Sequence, residues 1–381
     1  MNSQFKRIFI PILIITGFLS LLHFFIFQIS TDDLSSTAKT TVGIILILGT
    51  LNMPTGVLLS YTAYRKNFKA LTWLSYIWLG FFNLLFHFSI VELLVQWVYP
   101  HGYSYWVLIG ASIIAIWALY KGLKFPKISR HQLPAPDFLV GKTLVQISDL
   151  HVGMLHLNEN WLARIVEKIN SLQADFVAIT GDLVEGSFET ISPQLKPLND
   201  VKAKNSKFYV TGNHEYIHQS TAWEGRLQEL GFISLHNSAK IISIVAGPVT
   251  SNATGNVSGK LQIAGVPDRM VKRFTGHLVS DPEKALRTTE KVDYRILLAH
   301  EPTSVFDLKS EKCDVILTGH THGGQIFPFS LYVRLIQPMV KGFKTINSTL
   351  VFAHQGTGFW GPPMRWFTDS EIVVFEFIKK N

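Results

Sequence analysis

Cysteine is almost absent from this sequence of 381 residues. Cys313 is the single cysteine, so no intrachain disulfide can form. A chain without disulfides is typical of a reducing compartment. We also find no internal repeat, so the sequence is not an array of small repeated units.

Charged side chains are scarce in the first 120 residues. That region holds nine of the 62 charged side chains (35 Lys and Arg plus 27 Asp and Glu), which leaves 53 for the other 261 residues. The formal net charge of +8 would suit a nucleic-acid partner. The uneven distribution of charge indicates instead that the two parts of the chain lie in different solvents. We therefore expect the first third of the chain to lie in a membrane.

Four apolar runs fill this first third. Each has roughly the 20 residues that an α-helix needs to cross a bilayer. A cleaved signal peptide would explain the first run, which follows Lys6 and Arg7, but not the three runs that come after it. The sequence thus predicts a transmembrane region over residues 1–120. Its spans are predicted at about 8–30, 41–63, 71–97 and 104–120.

Basic residues predict the orientation of these spans. They lie before the first span, between the second and third, and after the fourth, whereas the other two loops carry Asp32, Asp33 and a single Lys39. Since Lys and Arg remain on the cytoplasmic side, we expect a multi-pass protein of the cell membrane with its C-terminal domain in the cytoplasm. The basic residues are Lys6, Arg7, Arg65, Lys66, Lys69, Lys121, Lys124, Lys127 and Arg130.

The rest of the chain divides into two parts. Residues 121–140 contain three prolines and a basic bias, which predicts a linker leaving the membrane surface. Over residues 141–381, short apolar runs alternate with stretches of helical period, and this predicts an α/β sandwich with much parallel sheet. Helices are expected at 158–172, near 221–230 and from Asp281, further strands at 261–266, 295–300, 314–319, 349–354 and 371–377, and hairpins or a loose insertion at 236–260.

Polar side chains follow five of the predicted strands. The apolar runs VQIS, VAITG, YVTG, RILLA and VILTG each end at a short group of Asp, Asn or His. Ligands of open α/β sheets gather at the carboxyl ends of strands, so these side chains are expected to converge on one rim. They are Asp149, His151, Asp182, Asn213, His214, His300, His320 and His322.

Apart from His214, these residues are two Asp, one Asn and four His, which form a set of nitrogen and oxygen ligands without sulfur. Such a set suits Mn, Fe or Zn better than Ca or a structural zinc. Seven ligands are too many for one ion but suffice for two divalent ions if Asp182 bridges them. An isolated Asp or Asn after a strand is usually a turn residue or a helix cap, so the hypothesis depends on the whole set.

The same residues occur in short motifs. DLH, GDLVE, GNHE, AH and GHTH follow one another in this order, and the sequence resembles the calcineurin-like metallophosphoesterases over residues 141–378. The runs GHTHGGQI, GNHEY and GPPMR are especially similar to membrane-anchored members of that family. The resemblance implies transmembrane helices ahead of a calcineurin-like α/β sandwich, which hydrolyses phosphoester bonds with two divalent ions. Together with the four predicted spans, the expected fold is an N-terminal transmembrane region of four helices followed by this sandwich.

The resemblance also implies a role for each residue. Asp182 would bridge the two ions, and His214 would protonate the leaving oxygen as a general acid. Glu185, at a position where the family commonly has Asp, would orient His214. The first ion would be held by Asp149, His151, Asp182 and His322, and the second by Asp182, Asn213, His300 and His320.

A loop rich in aromatic residues is expected at 357–367, because its glycines and prolines forbid a regular helix or a central strand. Two accounts of this loop remain open: its rings pack under the sheet, or they contact a lipid substrate. In the second account Trp360 contributes a ring, and Arg365 binds the phosphoryl oxygens as a fork. Arg269 is a second candidate for the task of Arg365.

The functional hypothesis is a membrane-anchored phosphoesterase that cleaves a phosphoester or pyrophosphate bond, with a lipid-linked substrate at the cytoplasmic membrane face. The lipid is inferred from the expected location. One alternative is a phosphodiesterase or nuclease that acts on a soluble nucleotide or nucleic acid. Another is a non-catalytic membrane scaffold, which the complete ligand set argues against. No protein partner can be inferred from the sequence.

Overall fold

The computed structural model describes residues 3–60, 67–99, 102–217, 220–246 and 257–380. Arg65 and Lys66, which contribute to the prediction of orientation, lie outside these ranges. The chain divides into two compact units. Unit 1 comprises Met1–Lys124 and Gly361–Trp366, and unit 2 comprises Phe125–Trp360 and Phe367–Asn381.

Unit 1 contains four long helices that coincide with the four predicted apolar runs. They are α1 (Ser3–Ser30), α2 (Ser36–Ser60), α3 (Lys69–Gln96) and α4 (Ser104–Leu123). In the described part of the chain, α2, α3 and α4 are long and apolar enough to cross a membrane, whereas α1 offers a shorter apolar stretch, Ile14–Ser30. Helix α2 continues through Pro54.

A buried carboxylate connects three of these helices. Glu92 of α3 accepts hydrogen bonds from Ser30 of α1 at 2.6 Å and from Ser104 of α4 at 3.1 Å. Because an unpaired carboxylate inside an apolar bundle is costly, these hydroxyl donors explain how the bundle accommodates it. The segment Gly361–Trp366 also packs within unit 1, where the backbone N–H of Arg365 donates to the carbonyl of Ala118 in α4.

Unit 2 is built on two six-stranded sheets. Its strands are β1 (Lys127–Ala135), β2 (Thr143–Ile147), β3 (Phe176–Thr180), β4 (Ser206–Val210), β5 (Ile233–Ser234), β6 (Ser238–Ala246), β7 (Val257–Gly265), β8 (Tyr294–Leu298), β9 (Val315–Thr318), β10 (Gly342–Ile346), β11 (Thr349–Ala353) and β12 (Glu371–Lys379). The first sheet has the order β1-β12-β2-β3-β4-β5, parallel from β2 to β5. The second has the order β10-β11-β9-β8-β7-β6, parallel from β11 to β7.

Short helices connect these strands. They are α5 (Glu159–Ser171), α6 (Phe188–Ile191), α7 (Asn213–Ile217), α8 (Ser220–Glu229), α9 (Val271–Thr275), α10 (Pro282–Leu286) and α11 (Phe329–Ile336). As predicted, α5 begins at an N-cap, since the side chain of Asn158 accepts two backbone N–H bonds. Most parallel connections thus contain helix or turn, which is the connection that parallel strands require.

The core of unit 2 lies between the two sheets. Buried side chains of the first sheet, such as Phe176 and Phe208, pack with buried side chains of the second, such as Ile296 and Leu317. Every residue of β3 is buried, as expected for a parallel strand that is covered on both faces. The structure therefore confirms the predicted α/β sandwich with much parallel sheet.

One segment differs from its prediction. Residues 127–135, expected within a linker at 121–140, form β1 and pair in parallel with β12. Strand β1 lies at the edge of its sheet, which explains how it tolerates Pro134, since a proline cannot donate to a neighbouring strand. The region expected to form hairpins contains the antiparallel pair β6 and β7, whereas residues 247–256 lie outside the described residues.

Candidate metal centre

The predicted ligands follow the carboxyl ends of five strands. Strands β2, β3 and β4 are neighbours in the first sheet, and β8 and β9 are neighbours in the second. Leu298, the last residue of β8, pairs with Leu317 of β9, so these two strands end at the same level. All seven predicted ligands come together there. The groups with ligand atoms within 4.8 Å of one another include Asp149, His151 and His322, and Asp182, His300 and His320; Asn213 contacts His300 and His320.

In the first group two imidazoles face each other. Nε2 of His151 lies 3.2 Å from Nε2 of His322, which in turn lies 3.4 Å from Oδ1 of Asp149. Nδ1 of His151 lies 3.3 Å from Oε2 of Glu185, and when Nδ1 donates its proton there, Nε2 retains its lone pair. The ligand atoms of these three residues lie within 4.8 Å of one another, so one cation could contact all three and would remove their mutual repulsion.

In the second group three ligand atoms form a nearly regular triangle. Oδ1 of Asn213, Nε2 of His300 and Nδ1 of His320 lie 3.2 Å from one another. Nδ1 of His300 donates to the carbonyl of Thr180 at 2.8 Å, which leaves Nε2 free to coordinate. Metal–ligand distances of about 2.0–2.2 Å place neighbouring ligand atoms roughly 3.0–3.5 Å apart, so the triangle has the size of a coordination face.

Asp182 belongs to the second group and also lies near the first. Its Oδ2 is 3.2 Å from Nε2 of His300 and 3.9 Å from Nε2 of His151. Burial raises the pKa of Asp182, but positive charge on His300 and His214 outweighs burial and holds this pKa well below its usual range. Metal ions compensate the same negative charge when they replace the protons. The residues present therefore fit two divalent ions that share Asp182.

The backbone at these ligands is strained. Five of the seven have a φ in the left-handed region, which residues other than glycine rarely adopt. Such conformations cost on the order of 1–3 kcal/mol each and cluster at functional sites. These residues, with their φ angles, are Asp149 (54°), His151 (46°), Asp182 (51°), His320 (69°) and His322 (49°).

His214 lies beside the ligand groups. Its Nδ1 is 2.7 Å from Oε2 of Glu185, and its Nε2 is 3.9 Å from Oδ2 of Asp182. Burial lowers the pKa of His214, but the negative charges of Asp182 and Glu185 outweigh burial and raise it to about 9. The ring of Trp360 meets the ring of His214 edge-on at a centroid distance of 5.7 Å. His214 thus lies next to both the ligand groups and an aromatic ring.

Comparison with known proteins agrees with this geometry. Residues 142–324 match the sequence profile described as Calcineurin-like phosphoesterase. A metallophosphoesterase of Helicobacter pylori is 34% identical over 264 residues (69% of this chain, 66% of that one), and one of Campylobacter jejuni is 32% identical over 276 residues (72% and 69%). The chain belongs to the calcineurin-like phosphoesterase family. The predicted family and fold are thereby confirmed.

A further relative carries a membrane region in its name. The Danio rerio "Transmembrane protein with metallophosphoesterase domain" is 32% identical over 277 residues, which are 70% of this chain and 60% of that one. The match spans about two thirds of the two bacterial relatives and less of this one. Together with the apolar helices of unit 1, this relative supports a membrane protein with a phosphoesterase domain.

Two glycines of the phosphoesterase motifs leave room for carboxylates that are candidate metal ligands. A Cβ atom at Gly212 would overlap Oδ1 and the backbone nitrogen of Asp182. A Cβ atom at Gly319 would overlap Oγ of Ser148 and Oδ2 of Asp149. The glycine that precedes the ligand in each motif is therefore needed because the neighbouring motif's carboxylate occupies the space of a side chain.

The sequence did not reveal Glu215 and Gln325 as functional residues. The fully buried carboxylate of Glu215 accepts backbone N–H bonds from Gly212 (2.8 Å), Asp182 (3.1 Å) and Leu183 (2.7 Å), and so joins the loops after β3 and β4. Gln325 holds the backbone of Trp360 through two hydrogen bonds of 2.9 and 3.2 Å. Both residues could have been noticed because Glu215 lies in the motif GNHEY and Gln325 lies in the motif GHTHGGQI.

The predicted substrate residues have different surroundings. Trp360 is 47% exposed beside His214, whereas Phe359 of the same loop is buried. Arg269 forms an ion pair with Asp307 at 3.1 Å and donates to the carbonyl of Thr303. The side chain of Arg365 is fully buried, and the residue belongs to unit 1. Binding of the phosphoryl group by the two arginines stays a prediction.

Proposed function

We propose that this protein is a membrane-anchored phosphoesterase with two divalent ions. The observation that carries the proposal is the pair of ligand groups that share Asp182. Asp149, His151 and His322 would hold the first ion together with Asp182, and Asn213, His300 and His320 would hold the second together with Asp182. Mn, Fe and Zn all accept this combination of imidazole, carboxylate and amide ligands.

The ions, when bound, neutralise the charge of the phosphoryl oxygens and lower the pKa of the attacking water. His214 donates a proton to the leaving oxygen. Its two nitrogens suit this role, because Nδ1 is held by Glu185 and Nε2 is directed toward the ligand groups. Glu185 keeps the ring oriented and its proton on the side of the substrate.

A lipid-linked phosphoester or pyrophosphate at the cytoplasmic membrane face is the proposed substrate. Two features support it: the chain carries helices able to cross a membrane, and the exposed ring of Trp360 stands next to the proposed acid. A non-catalytic scaffold would not need seven convergent candidate ligands, five of them on strained backbone. Hydrolysis of a soluble nucleotide or nucleic acid is the alternative that the substrate test must distinguish.

The catalytic proposal is tested with the purified full-length protein. After chelation and reloading with Mn, Fe or Zn, it is assayed on an aryl monoester, an aryl diester, a pyrophosphate and a lipid fraction. We expect hydrolysis that requires metal and is lost in Asp182→Ala, with a matching loss of bound metal measured by elemental analysis. Undiminished hydrolysis by Asp182→Ala would exclude the dinuclear site as its source.

The substrate proposal is tested with Trp360→Ala. We expect this variant to lose turnover of a lipid phosphoester while it keeps turnover of a small soluble ester, because only the lipid reaches the exposed ring. The soluble ester is the internal control for an intact metal site. Equal losses on both substrates, or efficient hydrolysis of nucleotides alone, would contradict a lipid substrate and leave the metal chemistry standing.

A further inference from the structure

Helix α11 presents an apolar surface to solvent. Leu335 is 82% and Ile336 is 72% exposed, and Val333 is the residue of this helix that is buried in the domain. Exposed apolar side chains scattered singly are ordinary, but a contiguous group on one helix marks an interaction surface. The exposed apolar residues of α11 are Phe329, Leu331, Tyr332, Leu335 and Ile336.

Two phenylalanines beside α11 extend this surface. Phe327 and Phe367, both exposed, meet edge-on at a centroid distance of 5.7 Å. Nζ of Lys341 donates to the carbonyl of Phe367 at 2.7 Å, which fixes a basic residue at the border. We call the five apolar residues of α11, Phe327 and Phe367 the α11 patch.

The charge around the α11 patch has one sign. Residues 315–368 contain no Asp or Glu, although the whole chain has 27. Arg334, Lys341 and Lys344 in this stretch are exposed. An apolar face bordered by Lys and Arg is the surface that lies in the interface of an anionic bilayer.

The connectivity of the chain favours a bilayer over other occupants. Phe367 directly follows Gly361–Trp366, a segment that packs within unit 1, the unit with the membrane-spanning helices. The α11 patch is thus joined through Phe367 to this segment of unit 1 by a single peptide bond. We propose that the α11 patch docks onto the bilayer surface, with its apolar side chains among the headgroups and its basic residues on anionic lipid. This proposal depends on membrane anchoring and not on catalysis.

The test measures contact between the α11 patch and lipid. Full-length protein carrying Leu335→Cys is labelled with a fluorophore and reconstituted into vesicles of phosphatidylcholine and phosphatidylglycerol, with or without brominated acyl chains. Val245→Cys is the matched control, since Val245 is an exposed apolar residue of β6. Burial raises the pKa of native Cys313 to about 12, so its thiol reacts slowly with the fluorophore. Labelling of the unsubstituted protein measures the remaining reaction at Cys313.

We expect brominated lipid to quench the probe at position 335 severalfold more than the probe at position 245. Removal of phosphatidylglycerol should weaken the quenching, because the basic residues lose their partners. Equal quenching at both positions would overturn the proposal. The proposal would also be overturned if fluorescence from position 335 were not quenched by brominated lipid but changed with the protein-to-lipid ratio. The α11 patch would then be a contact between two copies of the chain. Leu335 is too exposed for its replacement to disturb folding.

Discussion

At the scale of single residues, Glu185 serves two histidines of the metal centre. Its Oε2 lies 3.3 Å from Nδ1 of His151 and 2.7 Å from Nδ1 of His214. One carboxylate can therefore orient both a metal ligand and the proposed acid. The side chain of Glu is one methylene longer than that of Asp, and this extra length is compatible with the shared contact.

The role of His214 can be separated from metal binding. We expect His214→Ala to retain both ions but to lose about 10²–10⁴-fold in turnover, which is the usual contribution of a general acid. The loss should be larger for an alkyl ester than for a nitrophenyl ester, because a poor leaving group depends more on protonation. Steady-state kinetics and metal analysis of the same preparation provide the measurement. Full activity of the variant on the alkyl ester would refute this role.

The sequence predicted the candidate ligands that the structure brings together, but not the residues that support them. Each ligand follows an apolar strand, and this pattern is visible in one dimension. Glu215 and Gln325 lie within the motifs GNHEY and GHTHGGQI, but their partners include the backbone N–H of Asp182 and the backbone carbonyl of Trp360. A backbone partner cannot be recognised from residue types. Arg365 was predicted from its aromatic neighbours, yet its burial depends on packing near Ala118, which the local sequence does not encode.

At the scale of elements, a carboxylate in the first turn of α10 holds the loop that precedes β9. Glu283 accepts N–H bonds from Lys309, Ser310 and Glu311 and a hydroxyl bond from Ser310. The hydrogen bond from the Ser310 hydroxyl is the largest cause that lowers the pKa of Glu283, and the backbone hydrogen bonds add to it, so that this pKa falls to about 2. Since the unfolded carboxyl titrates near 4.3, the folded state binds fewer protons between these values.

Stability should therefore depend on Glu283 at neutral pH and not in strong acid. The contribution of this carboxylate is complete above the unfolded pKa and is lost as pH falls toward about 2. We expect Glu283→Gln to lower the free energy of unfolding by about 1 kcal/mol at pH 7, a value reduced for solvent exposure. Thermal melts from pH 7 to pH 3 should show the difference in Tm shrinking below pH ~4.3.

A matched control for this prediction is Glu159→Gln. Glu159 lies in the first turn of α5, so its replacement changes the charge at a helix start without removing an acceptor from the loop at 309–311. We expect its effect on Tm at pH 7 to be much smaller than that of Glu283→Gln. If both variants behaved alike, helix-end charge rather than the loop contacts would be the source of stability.

Helices and strands were predictable where the apolar residues follow one clear pattern. The buried strand β3 and the amphipathic helix α5 have unambiguous patterns and were found. Strand β1 was missed, because Pro134, the flanking Pro126 and Pro136 and the basic residues resemble a linker. Its pairing partner β12 also lies at the far end of the chain. Edge strands that depend on distant pairing carry too little local signal to be recognised.

At the scale of the whole molecule, the structure changes the charge count on which orientation depends. Lys127 forms an ion pair with Asp369 at 2.7 Å, and Arg130 forms one with Glu376 at 2.6 Å, both within unit 2. These two residues therefore belong to the folded domain rather than to a membrane flank. Lys121 and Lys124, at the end of α4, remain as the basic flank of the fourth helix.

The proposed orientation is tested by fusing a reporter directly after Lys124. This point precedes β1, whereas a fusion after Arg130 would interrupt the strand and confuse misfolding with topology. Four spans keep both ends of unit 1 on the side of Lys6 and Arg7, so alkaline phosphatase placed there should be inactive and green fluorescent protein should be fluorescent. A fusion after Asp33, between α1 and α2, is the control and should give the opposite pair of signals. Active phosphatase after Lys124 would mean an odd number of spans. The span in question would then be α2, because proline is unfavourable inside a helix and α2 contains Pro54.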